Sequence, residues 1–239
     1  MDLKEADILG DSIERHWYYR SKADILNRLL DSIEPSVVLD VGSGSGFFAK
    51  NALLRDKVTE AWCIDISYKK DVNELELGKS IKYRKTLRED VSPDVVLLMD
   101  VLEHVEDDIG LLKEYVDKAP YGTFFIISVP AFMFLWSDHD VFLGHKRRYD
   151  LPKIEHVVKE SGLSIQFGFY YYSIVFPLAA VVRIFSKVFK SKQKEKESGL
   201  SRHNFVTNTL LHALCKIETS FFRKNRMFGL TAFCVARKE

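Results

Sequence analysis

The sequence predicts a doubly wound α/β domain with a mostly parallel seven-stranded sheet and a helical insertion before the last strand. Short apolar runs of strand length alternate with segments of helical periodicity, as they do in repeated strand–helix–strand units. Two runs, 94–99 and 123–127, are almost continuously apolar, which is typical of strands that helices cover on both faces. With 239 residues, the chain is long enough to bury one such core without disulfides or a structural metal.

The elements follow one another in a regular order. Strands are predicted at 37–41, 60–65, 80–84, 94–99, 122–129, 163–171 and 228–237. Helices are predicted at 24–33, 47–55, 107–118, 151–161, 174–190 and 205–223, with a polar loop at 191–198. Asp150 can cap the helix that starts at Leu151, because its carboxylate can accept from the free amides of the first turn. Ser201 or Asn204 can do the same for the last helix.

Residues 173–226 are predicted to form the helical insertion. The 22 residues 161–182 carry no charge, but a membrane-spanning helix is rejected because their first half contains polar residues and strand-like aromatics. The helix over 174–190 carries three cations on one stripe, with apolar side chains over most of the remaining surface. These cations are Arg183, Lys187 and Lys190. Basic amphipathic helices of this kind lie on membrane surfaces.

The charge of the chain is small in total but unevenly distributed. Lys and Arg number 35 and Asp and Glu 34, a net of +1, which argues against a generally basic nucleic-acid-binding protein. Residues 1–182 carry 22 basic and 30 acidic side chains, a net of −8, whereas residues 183–239 carry 13 and 4, a net of +9. This asymmetry predicts that the C-terminal quarter meets an anionic partner.

The cysteines and the N-terminus narrow the class of protein further. Three cysteines without C-x-x-C spacing indicate neither a disulfide framework nor a thiolate zinc site. The acidic start of the chain has no apolar run typical of a secretory signal. A cytoplasmic protein is therefore expected.

A glycine-rich turn follows the first predicted strand. Gly42, Gly44 and Gly46 allow a sharp bend and let a ligand approach main-chain amides. The third glycine comes one residue earlier than in the G-x-G-x-x-G of dinucleotide sites, which disfavours a nicotinamide-dependent oxidoreductase. Asp40 suits a ligand that carries an ammonium group better than a pyrophosphate. Asp65 ends the second strand, where an acidic side chain can accept both hydroxyls of a ribose.

The turn belongs to a larger pattern. Segment 40–46 reads DVGSGSG, Asp65 follows the second strand, and segment 94–105 reads DVVLLMDVLEHV. Together they resemble the nucleotide-binding signatures of class I S-adenosylmethionine-dependent methyltransferases. Through 16–20 (HWYYR), 144–149 (GHKRRY) and the closing strand, the likeness extends to a subgroup related to quinone and glycan methyltransferases. The resemblance implies a Rossmann-like fold, S-adenosylmethionine as methyl donor and S-adenosylhomocysteine as product.

The resemblance also implies which residues bind the cofactor. They are Arg20, Asp40, Gly42, Ser43, Gly44, Gly46, Asp65, Ile66, Leu87, Asp100 and Val101. Ser43 and the glycines beside it would cradle the methionine part, Asp65 would hold the ribose, and Arg20 would pair with the carboxylate. Asp100 and Val101 would border the sulfonium. Many relatives have an acidic residue after the third strand for the adenine amine, whereas this chain has Lys-Thr-Leu at 85–87, so Leu87 or Thr86 would make that contact.

Four side chains are expected near the reacting atoms, because the carboxyl ends of the strands face the ligand crevice of an open α/β sheet. They are Glu103, His104, His139 and His145. His104 is the best candidate for a general base, since an ordinary histidine can accept a proton at neutral pH. His145 is the second catalytic candidate. The alternative for His104 is that it caps or packs against the following helix.

The acceptor is expected to meet a loop and an N-terminal lid. The side chains expected to contact it are Tyr18, His139, Arg147, Arg148 and Tyr149. The two arginines offer forked donors to a phosphate or a carboxylate, and the alternative is a solvated basic turn. The acids and histidines of segment 138–145 have no spacing that forces them onto one ion. No metal site is therefore predicted.

These observations predict a single methyltransferase domain. It consists of an N-terminal helical lid at 1–34, a cofactor-binding core at 35–172, the insertion at 173–226 and the last strand at 227–239. The resemblance implies O-methylation of a lipid-linked, quinone-like or glycan acceptor, and the basic insertion is expected to lie against an anionic membrane at its cytoplasmic face. The alternatives are methylation of a soluble metabolite, and a catalytically silent scaffold, which the intact Asp40, glycines and Asp65 disfavour.

Overall fold

The eight strands of the described residues form one mixed sheet in the order β3-β4-β2-β1-β5-β6-β8-β7. The computed structural model describes the backbone of residues 10–87, 91–189 and 205–239, and the side chains of 13–87, 91–185 and 205–239. The strands are β1 (Val37–Val41), β2 (Glu60–Ile64), β3 (Val72–Glu76), β4 (Lys79–Arg84), β5 (Val95–Met99), β6 (Phe124–Pro130), β7 (Ser164–Tyr171) and β8 (Thr231–Arg237). Strand β1 pairs in parallel with β2 and β5, and the pairs β2–β4 and β5–β6 are also parallel. The doubly wound, mostly parallel fold is thus confirmed.

The sheet has one strand more than the sequence predicted. Strand β3 pairs antiparallel with β4 through a tight turn at Leu77 and Gly78, both of which have positive φ. Two consecutive residues of positive φ suit the right-handed twist of a hairpin. Because β3 reads Val-Asn-Glu-Leu-Glu and lies at the sheet edge, it lacks the apolar run by which the other strands were recognised.

Seven α-helices surround the sheet in the part of the chain that the structure describes. They are α1 (Trp17–Ile33), α2 (Phe47–Leu53), α3 (Asp108–Lys118), α4 (Asp138–Leu143), α5 (Leu151–Glu160), α6 (Phe176–Phe189) and α7 (Phe205–Glu218). The Asp150 carboxylate accepts from the Lys153 amide at the start of α5, so the predicted cap is confirmed. The short helix α4 was not predicted, and a capping box between Ser137 and Asp140 starts it.

The strands in the middle of the sheet are covered on both faces, as their apolar sequence predicted. On β5, Val95, Leu97 and Met99 pack into the cluster on the side of α1 and α2. Val96 and Leu98 pack into the cluster on the side of α3 and α5. The alternation of side chains along a strand sends successive residues to opposite faces, so every residue of β5 is buried.

The predicted insertion contains two helices, and α7 packs on α1. The Trp17 amide donates to Asn208 Oδ1 at 3.1 Å, and His212 Nε2 lies 2.7 Å from Asp24 Oδ2. Helix α7 ends at Glu218, and a 3-10 turn over Phe222–Lys224 follows where the sequence predicted a continuing helix. No helix among the described residues is long and apolar enough to cross a bilayer. The predicted loop at 191–198 and the caps Ser201 and Asn204 lie outside the described residues.

Of the three cations in the stripe predicted for α6, the structure describes the side chain of Arg183 alone. Arg183 Nη1 donates to the Leu135 carbonyl at 3.1 Å, so its guanidinium faces the protein. Burial, together with the neighbouring Arg148, lowers the pKa of Arg183 to about 10. The Lys187 side chain and all of Lys190 lie outside the described residues.

Candidate functional site

The order of the strands creates a crevice at the carboxyl end of the sheet. Chain connections run outward in opposite directions from β1 and β5, which are neighbours. Ligands of open α/β sheets bind at such a reversal, because the loops on its two sides separate there. The segments that follow β1, β2 and β5 are 42–46, 65–68 and 100–104, and they hold most of the predicted site residues.

The loop after β1 needs its glycines. Gly42, Gly44 and Gly46 have φ of 64°, 54° and 74°, in the left-handed region that L side chains rarely adopt. A Cβ on Gly42 would lie 2.7 Å from Cγ2 of Val101, so the loop after β1 and the loop after β5 touch. The two predicted cofactor segments therefore form one wall.

Asp65 connects the ends of β1 and β2. Its Oδ2 accepts from the Gly44 amide and its Oδ1 from the Ser67 amide, each at 2.9 Å. The Ser43 hydroxyl lies 2.9 Å from the Tyr68 hydroxyl, which donates to the Gly44 carbonyl at 2.7 Å. The carboxylate is half-buried, and these bonds hold it at the rim of the crevice.

Asp40 is a buried acid beneath the same loop. It is 1% exposed, and its Oδ2 has no hydrogen-bond partner among the described residues. Burial raises the pKa of Asp40 to about 7. A buried carboxylate with one oxygen left without a partner is stabilised by a positively charged ligand.

Lys22 of α1 enters the site, which the sequence analysis did not foresee. Its ammonium is fully buried and forms an ion pair with Asp100, and it donates to the Tyr18 hydroxyl at 2.9 Å. Burial alone would lower the pKa of Lys22, but the Asp100 charge raises it above its usual range. The spacing of Tyr18 and Lys22 places them on one helical face, yet nothing in the sequence shows that this face meets the end of β5. Asp100 has a φ of 56°, a strained value for a residue other than glycine.

Glu103, His104 and His145 meet beside this ion pair. Their potential metal-binding atoms all lie within 4.8 Å of one another. The centroids of the two imidazole rings are 4.7 Å apart, and the rings meet edge to face. Glu103 is completely buried. Burial, and next to it the Asp100 charge, raises the pKa of Glu103 well above its usual range. The two predicted catalytic histidines are thus neighbours.

Three of the residues expected to bind the acceptor make hydrogen bonds and ion pairs within the protein. Arg148 is 3% exposed and donates through Nε and Nη2 to both carboxylate oxygens of Asp140, at 2.7 and 3.0 Å. Tyr149 is 1% exposed, and its hydroxyl donates to Asp108 at 2.8 Å. Arg147 Nη1 lies 3.1 Å from the same Asp108 carboxylate. Because their donors already bond to the protein, contacts of these three residues with an acceptor stay predictions.

The other predicted residues lie around the crevice. Ile66 is 82% exposed directly after Asp65, and Leu87 packs against the core on the side of α3 and α5. Arg20 is exposed, in a groove of about 790 Å³ that Ser45 also lines. His139 is partly exposed on α4. Contacts of these residues with a cofactor or an acceptor stay predictions.

Comparison with known proteins gives the family. Residues 15–166 match the model of a family described as a methyltransferase domain. No curated protein sequence matches. A solved SAM-dependent methyltransferase from Archaeoglobus fulgidus is 16% identical, with a TM-score of 0.53, over 90% of this chain and 92% of that chain. A putative sarcosine dimethylglycine methyltransferase from Galdieria sulphuraria is 15% identical, with a TM-score of 0.54, over 92% and 86%. These structures share the fold, and the family match covers more than half of the sequence, so the chain belongs to the methyltransferase domain family.

Proposed function

We propose that the protein transfers a methyl group from S-adenosylmethionine to an oxygen of an acceptor presented at a membrane surface. The use of S-adenosylmethionine rests on one observation: Asp40, the glycine loop and Asp65 lie together in the crevice where the strand order reverses. The family match supports the reaction class. The acceptor and its location are inferred from the chemistry of the site and of the insertion.

The residues of the crevice fit this cofactor. Asp40 offers a buried carboxylate oxygen, Oδ2, without a partner among the described residues for a cationic group, and Gly42 leaves no room for a Cβ. Asp65 offers acceptor oxygens for ribose hydroxyls, and the exposed Ile66 offers an apolar surface for a base. When bound, S-adenosylmethionine supplies a methyl group activated by its sulfonium. The protein has to orient the acceptor toward that group and exclude water.

The pKa of Asp40 gives a test of its role. Below a pKa of about 7 the carboxyl group is protonated and neutral, whereas a ligand ammonium group favours the ionised form. S-adenosylhomocysteine should therefore bind more tightly as the pH rises from 6 toward 7, and its affinity should level off above pH 7, by roughly tenfold in all. Calorimetric titrations at several pH values measure this change.

The variant Asp40→Asn separates Asp40 from other groups that titrate in this range. It should bind S-adenosylhomocysteine more weakly at pH 8 and show a much flatter pH profile. Circular dichroism at each pH checks that the protein is folded. An Asp40→Asn profile as steep as that of the wild type would assign the pH dependence elsewhere.

The acceptor would approach from the side of the histidines. His145 Nδ1 lies 2.9 Å from Asp140 Oδ1, which fixes the orientation of the ring. His104 adjoins it, so either imidazole can accept the proton of an acceptor hydroxyl or position the hydroxyl. Helix α1 brings Tyr18 and Lys22 to the same place, which supports a lid role for the N-terminal segment.

The insertion supports a membrane-bound acceptor. Helix α6 exposes one apolar stripe at helical spacing, formed by Leu178, Val181, Val182 and Phe185, which are between 51% and 69% exposed. On α7, Phe205, Val206 and Leu210 are 60% to 83% exposed. Such exposed apolar surface marks an interaction site. The net charge of +9 over residues 183–239 favours an anionic lipid surface as the partner.

We expect the protein to sediment with vesicles that contain anionic lipid, and less so as salt rises. The double variant Val181→Glu, Phe185→Glu should reduce binding at least about tenfold, because it removes buried apolar area and adds repulsion. Lys187→Glu with Lys190→Glu lowers the net charge of residues 183–239 from +9 to +5 and should weaken both the binding and its salt dependence. Arg183 is left unchanged because it contacts Leu135.

The matched control is Leu54→Glu, Leu75→Glu, which changes two leucines that are 63% and 76% exposed and lie outside the insertion. It should bind vesicles like the wild type. Vesicle binding that is absent at low salt would contradict the membrane role and favour a soluble metabolite as acceptor. Equal vesicle binding by the Val181→Glu, Phe185→Glu variant and the Leu54→Glu, Leu75→Glu control would do the same. S-adenosylhomocysteine binding should be the same in all of these proteins.

A further inference from the structure

We infer that Glu103, His104 and His145 bind a divalent metal ion of the zinc type. The three side chains supply one carboxylate and two imidazoles, and the candidate ligand atoms lie within 4.8 Å of one another. Ligands of one zinc ion lie about 2 Å from it and roughly 3 to 4 Å from one another, so the three side chains would draw together by about 1 Å when they bind it. No metal was expected from the spacing of the acids and histidines in segment 138–145, because the cluster joins two segments that are distant in the sequence.

The fold holds the two segments together. The Lys146 amide donates to the Glu103 carbonyl at 2.7 Å, directly beside His145. Arg147 binds the carbonyls of Val105 and Glu106 at 2.9 and 2.7 Å. The loop that carries His145 is therefore fixed on the loop that carries Glu103 and His104. Ligands on braced segments need little rearrangement to bind an ion.

Glu103 is the residue that most clearly lacks a partner. Both of its carboxylate oxygens are buried without a hydrogen bond from any other described residue, and the residue is 0% exposed. A buried carboxylate normally has donors or a metal around it. The nearby Lys22 ammonium is bonded to Asp100 and Tyr18, and neither bond is to Glu103.

His145 has the environment of a metal-binding histidine. Its Nδ1 faces Asp140, which leaves Nε2 as the coordinating nitrogen. Asp140 is itself held by two bonds from Arg148. A carboxylate on the second nitrogen of a ligating imidazole fixes the ring and raises its basicity, and such partners are usual around zinc.

The donor set defines the class of ion. One carboxylate with two imidazoles suits zinc and similar transition metals, while magnesium and calcium prefer oxygen ligands only. Three protein ligands leave a fourth position open. On the proposed function, an acceptor hydroxyl would take that position, and the ion would make it acidic enough to give its proton to solvent, so the histidines would act as ligands rather than as bases. Metal binding itself does not depend on that function.

The test is a calorimetric titration of the full-length protein with zinc chloride, after dialysis against a chelator. We expect about one ion per chain with micromolar or tighter affinity. Cobalt(II) should give visible absorption bands of a low-symmetry site, and excess magnesium should not displace it. Glu103→Gln and His145→Ala should each weaken zinc binding at least about tenfold. The control His156→Ala removes a histidine of α5 that is 68% exposed and should bind zinc like the wild type.

The outcomes are separable from those of the proposed function. Absent micromolar zinc binding in the wild type, or zinc binding unchanged in the cluster variants, would overturn the metal site and leave Glu103 as a neutral buried acid. Circular dichroism checks folding, and His104→Ala replaces any variant that does not fold. S-adenosylhomocysteine is titrated into the same samples. If S-adenosylhomocysteine binds and zinc does not, only the metal site is rejected. If zinc binds and S-adenosylhomocysteine does not, only the proposed cofactor is rejected.

Discussion

Replacing Asp65 with alanine is expected to weaken the binding of S-adenosylhomocysteine by about 2 to 4 kcal/mol. The carboxylate can accept from two ribose hydroxyls, and charge-assisted bonds of this kind are stronger than neutral ones. It also accepts from the Gly44 amide, so its loss would loosen the glycine loop. Isothermal titration calorimetry with wild type and variant measures the difference directly.

Asp65→Asn and an exposed acid serve as controls for this measurement. The asparagine keeps an oxygen acceptor and should lose less affinity than the alanine. Asp117→Ala on α3, whose side chain is 62% exposed, should bind as the wild type does. Equal affinity of wild type and Asp65→Ala would show that the ribose assignment is wrong. Micromolar binding of NAD to the wild type would argue against the cofactor itself.

Replacing Lys22 with methionine should lower the free energy of unfolding by about 3 kcal/mol or more. The substitution keeps most of the apolar volume but leaves the Asp100 carboxylate without its buried partner. An uncompensated charge in such a place is costly, whereas the intact pair contributes little more than an apolar pair would. Urea denaturation at pH 7 measures the change.

The double variant Lys22→Met, Asp100→Asn provides the decisive comparison. It removes both charges, so it should recover most of the lost stability. Lys113→Met, which removes the lysine of an exposed ion pair on α3, should change stability by less than about 0.5 kcal/mol. A double variant as unstable as the single one would show that the ion pair is not the cause.

The pH dependence of the Lys22 effect has a defined direction. Burial alone would raise the pKa of Asp100, but the Lys22 ammonium lowers it below the usual value. The stabilisation from this pairing is therefore present above the ordinary carboxylate pKa and is lost as the pH falls through the lowered value. The difference between wild type and Lys22→Met should accordingly shrink in strongly acidic buffer.

Much of the fold could be predicted because its signals are local. The apolar runs of the central strands, the Asp150 cap and the three glycines each depend on a few adjacent residues. A strand buried on both faces has to be apolar throughout, and a loop of positive φ favours glycine. The edge strand β3 escaped prediction because a strand exposed to solvent carries no such requirement.

The sequence by itself determined seven of the eight described strands, the glycine loop, and the position of Asp40 and Asp65 near the carboxyl ends of β1 and β2. Only the tertiary structure decided that Lys22 pairs with Asp100, that Glu103 lies beside the two histidines, and that Arg148 donates to Asp140. The physical reason is that a sequence pattern reports on neighbouring residues, whereas these contacts join distant parts of the chain. Hydrophobic periodicity specifies which face of an element is buried, but the partner of a buried charge comes from another element, through loop packing that no local pattern encodes.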